Sequence, residues 1–182
     1  MKVVFLDRDG VVNKQPPDNG YIKSWKEFKF ISGSIEAIRR FNINGFKVFI
    51  VSNQSGVAKG LYTQKDLDII TKNMLSVFKK KGAYVDGVYY CTHRTEDNCN
   101  CKKPKVGLLE KAVYSFKDKI EKAFLIGDSS VDMETAKNFN AISILVLSGK
   151  EKISNRANWN FKPDYVFDNL LVASYYLCKH YV

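Results

Sequence analysis

Short apolar runs recur along the chain, and each one ends in small or polar residues. The first run, KVVFLD, covers residues 2–7. Four further runs follow the same pattern, at residues 47–52, 87–91, 123–127 and 143–146. Continuous apolar runs of this length are typical of strands that are buried on both faces, as in parallel sheets. The pattern therefore predicts five strands of a buried parallel sheet.

Between these runs, apolar residues recur at the spacing of helices. One group precedes Gly45 and consists of Ile35, Ile38 and Phe41. The next group consists of Leu67, Ile70, Met74 and Phe78. Thr63 stands before this group and Asp66 follows three residues later, a spacing typical of an N-terminal capping pair. These positions predict two amphipathic helices, the second of which is introduced by Thr63 as part of a capping pair.

Strand and helix patterns alternate from one end of the chain to the other. Such alternation predicts right-handed βαβ crossovers and an α/β fold with a doubly wound parallel sheet. In these folds the ligand site lies at the carboxyl ends of the strands. The sequence has no internal repeat and no long linker, so we expect one domain over residues 1–182, with residues 148–163 as a surface connection.

Composition narrows the classes of partner. The chain has 182 residues, of which 45% are hydrophobic, and this suffices for one sizeable core. Its 29 Lys and Arg exceed its 19 Asp and Glu, and the net charge of +10 favours anionic partners such as phosphates or nucleic acid. No apolar run approaches the roughly 18 residues of a membrane span, and the first run is too short for a secretory signal. We therefore expect a cytoplasmic protein without a membrane partner.

Two carboxylates follow the first predicted strand directly. Asp7 and Asp9 are two residues apart where the strand opens into solvent, so extended backbone geometry can direct both side chains to one spot. One carboxylate could bind Mg²⁺ and attack phosphorus, while the other donates a proton to the leaving oxygen and later takes one from water. For this pair alone, a solvated acidic turn is the alternative.

Polar motifs also follow or lie between the later strands. In chain order they are Ser52, Asn53, Gln54 and Ser55, then Lys102 and Lys103, then Asp128, Ser129 and Asp132. Taken alone, the first of these motifs also suits a simple turn. Phosphoryl transfer needs carboxylates that hold a metal, cations or donors on the phosphate oxygens and an in-line nucleophile. Together with Asp7 and Asp9, the motifs offer all three, so the sequence predicts a phosphoryl-transfer site.

Three of the four cysteines lie within eleven residues of one another and bracket a histidine. The potential ligands are Cys91, His93, Cys99 and Cys101, in the pattern C-x-H-x₅-C-x-C. Thiolate and imidazole ligands at this spacing favour tetrahedral Zn²⁺ over a disulfide framework. Because all four positions are filled by protein, the zinc would be structural and would fix the loop that leads to Lys102 and Lys103. Coincidental cysteines in a reducing cytosol are the alternative.

The order of the polar motifs resembles that of the haloacid dehalogenase (HAD) superfamily, and the resemblance covers almost the whole chain. The motifs are D-x-D-G, S-N-Q-S-G, K-P and G-D-x-x-x-D. The resemblance implies that Asp7 is the nucleophile and Asp9 the general acid and base. It implies that Ser52 and Lys103 bind the phosphate. Cap domains of the superfamily are inserted in two intervals that are short here, so the resemblance also implies a Rossmann-like core without a large cap.

The same resemblance implies a catalytic Mg²⁺ site. Its ligands would be the carboxylates of Asp7 and Asp128 and the backbone carbonyl of Asp9. By the same analogy, Asp132 would orient Lys103 or a metal-bound water instead of binding the ion.

Four segments of the sequence are similar to segments of the heptose bisphosphate phosphatase family. They are the zinc loop, residues 7–13, the Asn19-Gly20-Tyr21 triplet and the S-N-Q-S-G-V-A-K-G segment. This similarity implies that the substrate is a small phosphorylated sugar, whose 7-phosphate is removed during the synthesis of surface-sugar and lipopolysaccharide precursors. It implies substrate contacts from Asn13, Asn19, Gly20, Tyr21, Ser52, Asn53, Gln54, Ser55, Lys102, Lys103 and Ser129. We expect the protein to act as a monomer.

Three other functions stay open on sequence alone. Histidinol phosphate phosphatases are the nearest relatives of the heptose family. Polynucleotide 3′-phosphatases share the D-x-D-G and N-Q motifs, but the sequence has no sign of a duplex-binding groove or a fused kinase domain, so we do not expect nucleic acid as a partner. The non-enzymatic alternative is a zinc-stabilised binding module whose acidic residues have no catalytic role. Such a protein would hydrolyse no phosphate ester.

Overall fold

The predicted parallel sheet is present and has six strands in the described part of the chain. The computed structural model describes residues 1–17, 20–114, 116 and 119–181. The strands are β1 (Lys2–Leu6), β2 (Phe46–Asn53), β3 (Gly87–Cys91), β4 (Lys122–Gly127), β5 (Ile142–Val146) and β6 (Tyr165–Phe167). All neighbouring pairs run parallel, in the order β3-β2-β1-β4-β5-β6. This order confirms the doubly wound α/β fold.

Helices connect the strands and cover the sheet. They are α1 (Ser34–Ile43), α2 (Gln64–Lys80), α3 (Gly107–Val113), α4 (Ser130–Phe139) and α5 (Leu170–His180). Among the described residues, the two intervals in which a cap could be inserted contain no second domain. None of the described helices combines the length and apolar character that crossing a bilayer requires.

Alternate residues of β1 point to opposite faces of the sheet. Val4 and Leu6 belong to an apolar cluster with residues of α1, α2 and α5. Val3 and Phe5 belong to a second cluster, with residues of α3 and α4. All four side chains are fully buried. Because both faces are covered, β1 forms a continuous apolar run, which explains the pattern in the sequence.

The direction of winding reverses between β1 and β4, the two central strands. The chain leaves β1 to build the β2 and β3 side, and then returns to β4 to build the β5 and β6 side. In an open parallel sheet, such a reversal leaves a crevice at the carboxyl ends of the strands. The predicted site residues Asp7 and Asp128 follow the two strands that border this crevice.

The sequence did not predict β6. This strand pairs with β5 at the edge of the sheet and is half-buried, and its apolar run of three residues is too short to indicate a strand. Residues 148–163 were predicted as a surface connection, and they include an exposed 3₁₀ helix at Ile153–Asn158. The start of this segment differs from the prediction, because Gly149 is buried against Asp128.

The capping pair predicted at the start of α2 is confirmed. The Thr63 hydroxyl accepts a hydrogen bond from the Asp66 backbone at 3.1 Å, and the Asp66 carboxylate accepts one from the Thr63 backbone at 2.8 Å. Two backbone N–H groups that the helix cannot satisfy internally are thereby paired.

Replacing Thr63 by alanine should lower the free energy of unfolding by about 1 kcal/mol, since one of these N–H groups loses its acceptor. Urea denaturation of Thr63→Ala measures the loss. Lys65→Ala is the matched control, because it changes an exposed neighbour and leaves both cap bonds in place. An equal loss in the control would contradict the assignment of the cap.

Candidate active site

A polar cleft of about 200 Å³ lies at the carboxyl ends of the strands. Most of the side chains predicted from the motifs line it. They are Asp7, Asp9, Gly20, Tyr21, Ser52, Asn53, Ser55, Lys102, Lys103, Asp128 and Ser129. Asp132 lines the cleft as well, whereas Asn19 lies outside the described residues. The topology thus gathers these residues from five segments of the sequence in one place.

A buried lysine faces three carboxylates at the base of the cleft. The ammonium of Lys103 lies 2.6 Å from Asp132 and 3.2 Å from Asp7. Lys103 is only 4% exposed, and Asp128 and Asp132 are also buried. The carboxylate oxygens of Asp7, Asp128 and Asp132 all lie within 4.8 Å of one another. Oxygen ligands at such spacing suit Mg²⁺, so these residues fit a divalent cation.

Three carboxylates face one ammonium group at the base of the cleft, and burial together with these charges shifts their pKa values. Burial raises the pKa of Asp7, although the charge of Lys103 acts in the opposite direction. Burial and the charges of Asp132 and Asp7 raise the pKa of Asp128 to about 8. For Lys103, burial alone would lower the pKa, but the charges of Asp132 and Asp7 outweigh it and raise the pKa. A bound cation would relieve the excess of negative charge.

The sheet fixes the positions of these carboxylates. Leu6 of β1 lies beside Ile126 of β4, and the Asp7 backbone donates a hydrogen bond to the Ile126 carbonyl at 3.0 Å. Gly10 has a φ of 81° and lies directly against Asp128. A Cβ atom at Gly10 would collide with the Asp128 carboxylate, so a glycine is required there for both reasons.

Asp9 lies at the rim of the cleft and is held by donors from three residues. Asn13 donates to Asp9 Oδ1 at 2.7 Å, and Gln54 donates to Asp9 Oδ2 at 2.9 Å. The Arg8 guanidinium lies 3.0 Å from Asp9 Oδ2. Asn13 and Gln54 were predicted to contact substrate, but both are fully buried and are engaged with Asp9. In the structure, the side chains of these two residues contact Asp9 and do not line the cleft.

Asn53 clamps the backbone that carries the buried lysine. Its side chain donates to the Lys103 carbonyl at 3.0 Å and accepts from the Lys103 N–H at 3.0 Å. The neighbouring Lys102 donates to the Ser55 hydroxyl at 2.7 Å. Both lysines of the motif are thus tied to the loop that follows β2.

The four predicted zinc ligands lie together at the end of β3. Cys101 Sγ is 3.1 Å from Cys91 Sγ, 3.5 Å from Cys99 Sγ and 3.2 Å from His93 Nδ1. Tetrahedral Zn–S bonds of about 2.3 Å would place sulfur atoms roughly 3.8 Å apart, so this cluster has the size of a zinc site. No disulfide joins the described cysteines.

The thiols of this cluster differ in acidity. Burial raises the pKa of Cys91 to about 12. For Cys99, burial acts in the same direction, but hydrogen bonds from Cys101 and the Lys102 backbone outweigh it and lower the pKa to about 6. The Cys99 thiolate is thus available as a metal ligand near neutral pH, and a bound cation would favour ionisation of the other thiols.

Lys150 also lines the cleft, although the sequence analysis did not select it. Its backbone N–H donates to Asp128 Oδ2 at 2.8 Å, and Ser148 donates to the Gly10 carbonyl at 2.7 Å. These bonds tie the loop after β5 to the segments that follow β1 and β4. The signal in the sequence was the Ser-Gly-Lys triplet, which follows an apolar strand as the other motifs do.

Comparisons with known proteins agree with this geometry. The sequence profile of the HAD-hydrolase-like family matches residues 100–173. A D-glycero-beta-D-manno-heptose-1,7-bisphosphate 7-phosphatase of Helicobacter pylori is 37% identical over 147 residues, covering 80% of this chain and 83% of that protein. The enzyme of the same name from Neisseria meningitidis serogroup A is 33% identical and covers 98% of this chain and 96% of its own.

A solved structure extends the similarity to three dimensions. The crystal structure of D,D-heptose 1,7-bisphosphate phosphatase from B. bronchiseptica, complexed with magnesium and phosphate, has a TM-score of 0.89 to this chain at 29% identity. The superposition covers 98% of this chain and 99% of that one. Identity above 30% over most of both chains, on a shared fold, establishes that this chain belongs to the D-glycero-D-manno-heptose-1,7-bisphosphate 7-phosphatase family of HAD-like phosphatases.

Proposed function

We propose that this protein hydrolyses the 7-phosphate of D-glycero-D-manno-heptose 1,7-bisphosphate, in the synthesis of surface-sugar precursors. The observation that carries this proposal is the meeting of Asp7, Lys103 and Asp128 at the base of one cleft, in a chain of this family. A nucleophile, a phosphate-binding cation and a cation-binding carboxylate are the parts that phosphoryl transfer requires.

The reaction proceeds in two steps on this chain's own residues. In the first step, a carboxylate oxygen of Asp7 attacks phosphorus, the bond from phosphorus to the sugar oxygen breaks, and Asp9 donates a proton to that oxygen. In the second step, Asp9 takes a proton from water, whose oxygen attacks phosphorus, releasing inorganic phosphate and restoring Asp7. Lys103 and the Ser52 hydroxyl bind the phosphate oxygens throughout.

Asp7, Asp128 and the backbone carbonyl of Asp9 would hold the catalytic Mg²⁺. When bound, Mg²⁺ neutralises the clustered carboxylates and the phosphate oxygens, so that an anionic nucleophile can approach an anionic substrate. Asp132 serves a different role in this proposal. Its 2.6 Å contact with the Lys103 ammonium supports the prediction that it orients that lysine.

Zn²⁺ bound by Cys91, His93, Cys99 and Cys101 would be structural. All four ligands come from the protein, which leaves no open position for water or substrate. The cluster ends directly before Lys102, so the metal would fix the start of the segment that Asn53 clamps at Lys103. The two anchors together would hold the phosphate-binding lysine in place.

The rim of the cleft supports a substrate with a second anionic group. Lys102 and Lys150 line the cleft in addition to the buried Lys103. Tyr21 and Ser129 line it as well and offer hydroxyl groups to a sugar. A sugar bisphosphate can place one phosphate at the base and the other at this rim.

A substrate comparison tests the proposal. We expect kcat/KM for heptose 1,7-bisphosphate to exceed that for heptose 7-phosphate by about tenfold or more, because the 1-phosphate adds charge-assisted hydrogen bonds at the rim. Histidinol phosphate and a 3′-phosphorylated oligonucleotide are measured alongside. A higher kcat/KM for either of these would overturn the substrate assignment, and a salt-suppressed activity on the oligonucleotide alone would indicate a nucleic-acid enzyme.

A further inference from the structure

Arg8 stands between the two catalytic aspartates and has no access to solvent. Its side chain is 0% exposed, which is unusual for an arginine. Its guanidinium Nη2 donates to Asp9 Oδ1 at 3.1 Å and to Asp9 Oδ2 at 3.0 Å. The guanidinium carbon also lies 5.6 Å from the centre of the Tyr90 ring, a cation–π contact. A buried cation requires such partners, and Asp9 is the main one.

Two further side chains extend this contact away from the cleft. Gln54 Oε1 accepts hydrogen bonds from Arg8 Nη2 at 3.1 Å and from the Tyr62 hydroxyl at 2.6 Å. With its oxygen occupied in this way, the Gln54 amide nitrogen faces Asp9 Oδ2 at 2.9 Å. The Tyr62 hydroxyl therefore sets which end of the Gln54 amide meets Asp9.

Tyr62 is itself rigidly placed. It is 6% exposed, and its ring packs on Gly56 so closely that a Cβ atom there would collide with it. Burial raises the pKa of the Tyr62 phenol, so the hydroxyl stays protonated and can donate to Gln54. None of this depends on substrate, because Tyr62, Gln54 and Arg8 are all buried.

We propose that Arg8, Gln54 and Tyr62 form a positioning network that fixes the Asp9 carboxyl group for proton transfer to the leaving-group oxygen. The proposal rests on the proposed function, in which the Asp9 proton passes to the sugar oxygen as the phosphorus–oxygen bond breaks. Asp9 itself is 17% exposed, and without these donors its side chain could adopt other rotamers at the rim. A misplacement of about 1 Å is enough to slow an enzymatic step by around a hundredfold.

If the network positions Asp9 for proton transfer, its loss should affect two kinds of substrate differently, whereas loss of a merely structural contact should affect both alike. A sugar alkoxide is a poor leaving group and needs the proton of Asp9, whereas p-nitrophenolate leaves as a stable anion without one. The parameter kcat/KM reports the steps up to the breaking of this bond and is not affected by the later hydrolysis of the aspartyl phosphate. Loss of the network should therefore lower kcat/KM for sugar phosphates and spare that for the aryl phosphate.

Tyr62→Phe is the mildest test, because it keeps the ring on Gly56 and removes only the hydroxyl. We expect kcat/KM for the sugar phosphate to fall about tenfold, while kcat/KM for p-nitrophenyl phosphate falls less than about twofold. Arg8→Lys should have the same selectivity and a larger effect, about a hundredfold on the sugar phosphate. Tyr84→Phe, at an exposed tyrosine, is the matched control and should change neither value.

The outcomes separate this proposal from the proposed function. A wild-type protein that hydrolyses neither substrate overturns the proposed function. An active wild type whose Tyr62→Phe variant slows both substrates equally, or slows neither, overturns the positioning network alone. Should Arg8→Lys fail to fold, Tyr62→Phe decides the question by itself. A different preferred sugar leaves the comparison intact, since any alkyl phosphate substrate can replace the heptose bisphosphate.

Discussion

Replacing Asp7 by asparagine should reduce phosphate release by at least about 10⁴-fold, since loss of an enzyme's nucleophile has effects of this order. The asparagine keeps the shape of the side chain and can still accept the hydrogen bond that the Arg8 backbone donates to Asp7 at 2.7 Å. It lacks the anionic oxygen that forms the bond to phosphorus in the proposed reaction. Release of inorganic phosphate from the bisphosphate, measured with Mg²⁺ present, gives the rate.

The same variant should be at least as stable as the wild type. Burial raises the pKa of Asp7, so the folded state disfavours its charge. Lys103 keeps its closer partner, Asp132, at 2.6 Å. Asp68→Asn, an identical change at an exposed carboxylate of α2, is the control and should retain full activity. If Asp7→Asn retained more than about 1% of the wild-type rate, a different group would have to attack phosphorus.

Replacing Cys101 by serine should remove the Zn²⁺ that we propose the cluster binds. Cys101 contacts all three other ligands of the cluster, so its loss opens the site at its centre. Metal analysis should show zinc falling from about one ion per chain to a small fraction of that, because three ligands bind Zn²⁺ much more weakly than four. Activity should fall as well, because Lys102 and Lys103 follow Cys101 directly in the chain.

Cys178→Ser is the matched control for this experiment. Cys178 lies on α5, and its thiol contacts the Arg40 carbonyl, outside the cluster. The control should keep both zinc and activity. Unchanged zinc content in Cys101→Ser would contradict the ligand set, whereas lost zinc with unchanged activity would contradict the link between the cluster and the lysines.

The fold was predictable because its signals are local and strong. A strand buried on both faces must be apolar throughout, so β1 to β5 appear in the sequence as continuous runs. Predicted and observed bounds of these strands agree within one residue. β6 gave no such signal because this half-buried edge strand has an apolar run of only three residues.

The site was predictable to the extent that its residues lie at the carboxyl ends of strands, in the last residues of the strand or directly after it. Asp7, Ser52 and Asp128 stand where the topology must bring them together, and they line one cleft. The roles of Asn13 and Gln54 did not follow from position, because burial and hydrogen bonding to Asp9 depend on side-chain directions that only the folded chain defines. Arg8 was missed for the same reason, since nothing in the sequence indicates that this cation is buried.

The pairing of β1 with β4 has a consequence for the thermal inactivation of the enzyme. Because a hydrogen-bonded ladder holds neighbouring strands about 4.8 Å apart, the residues that follow Leu6 and Ile126 keep their separation as long as the ladder is intact. As long as the loop that carries Lys103 stays in place, activity should therefore persist through loosening of the other surface loops and disappear only when the sheet melts. Thermal inactivation and the loss of circular dichroism should then share one midpoint.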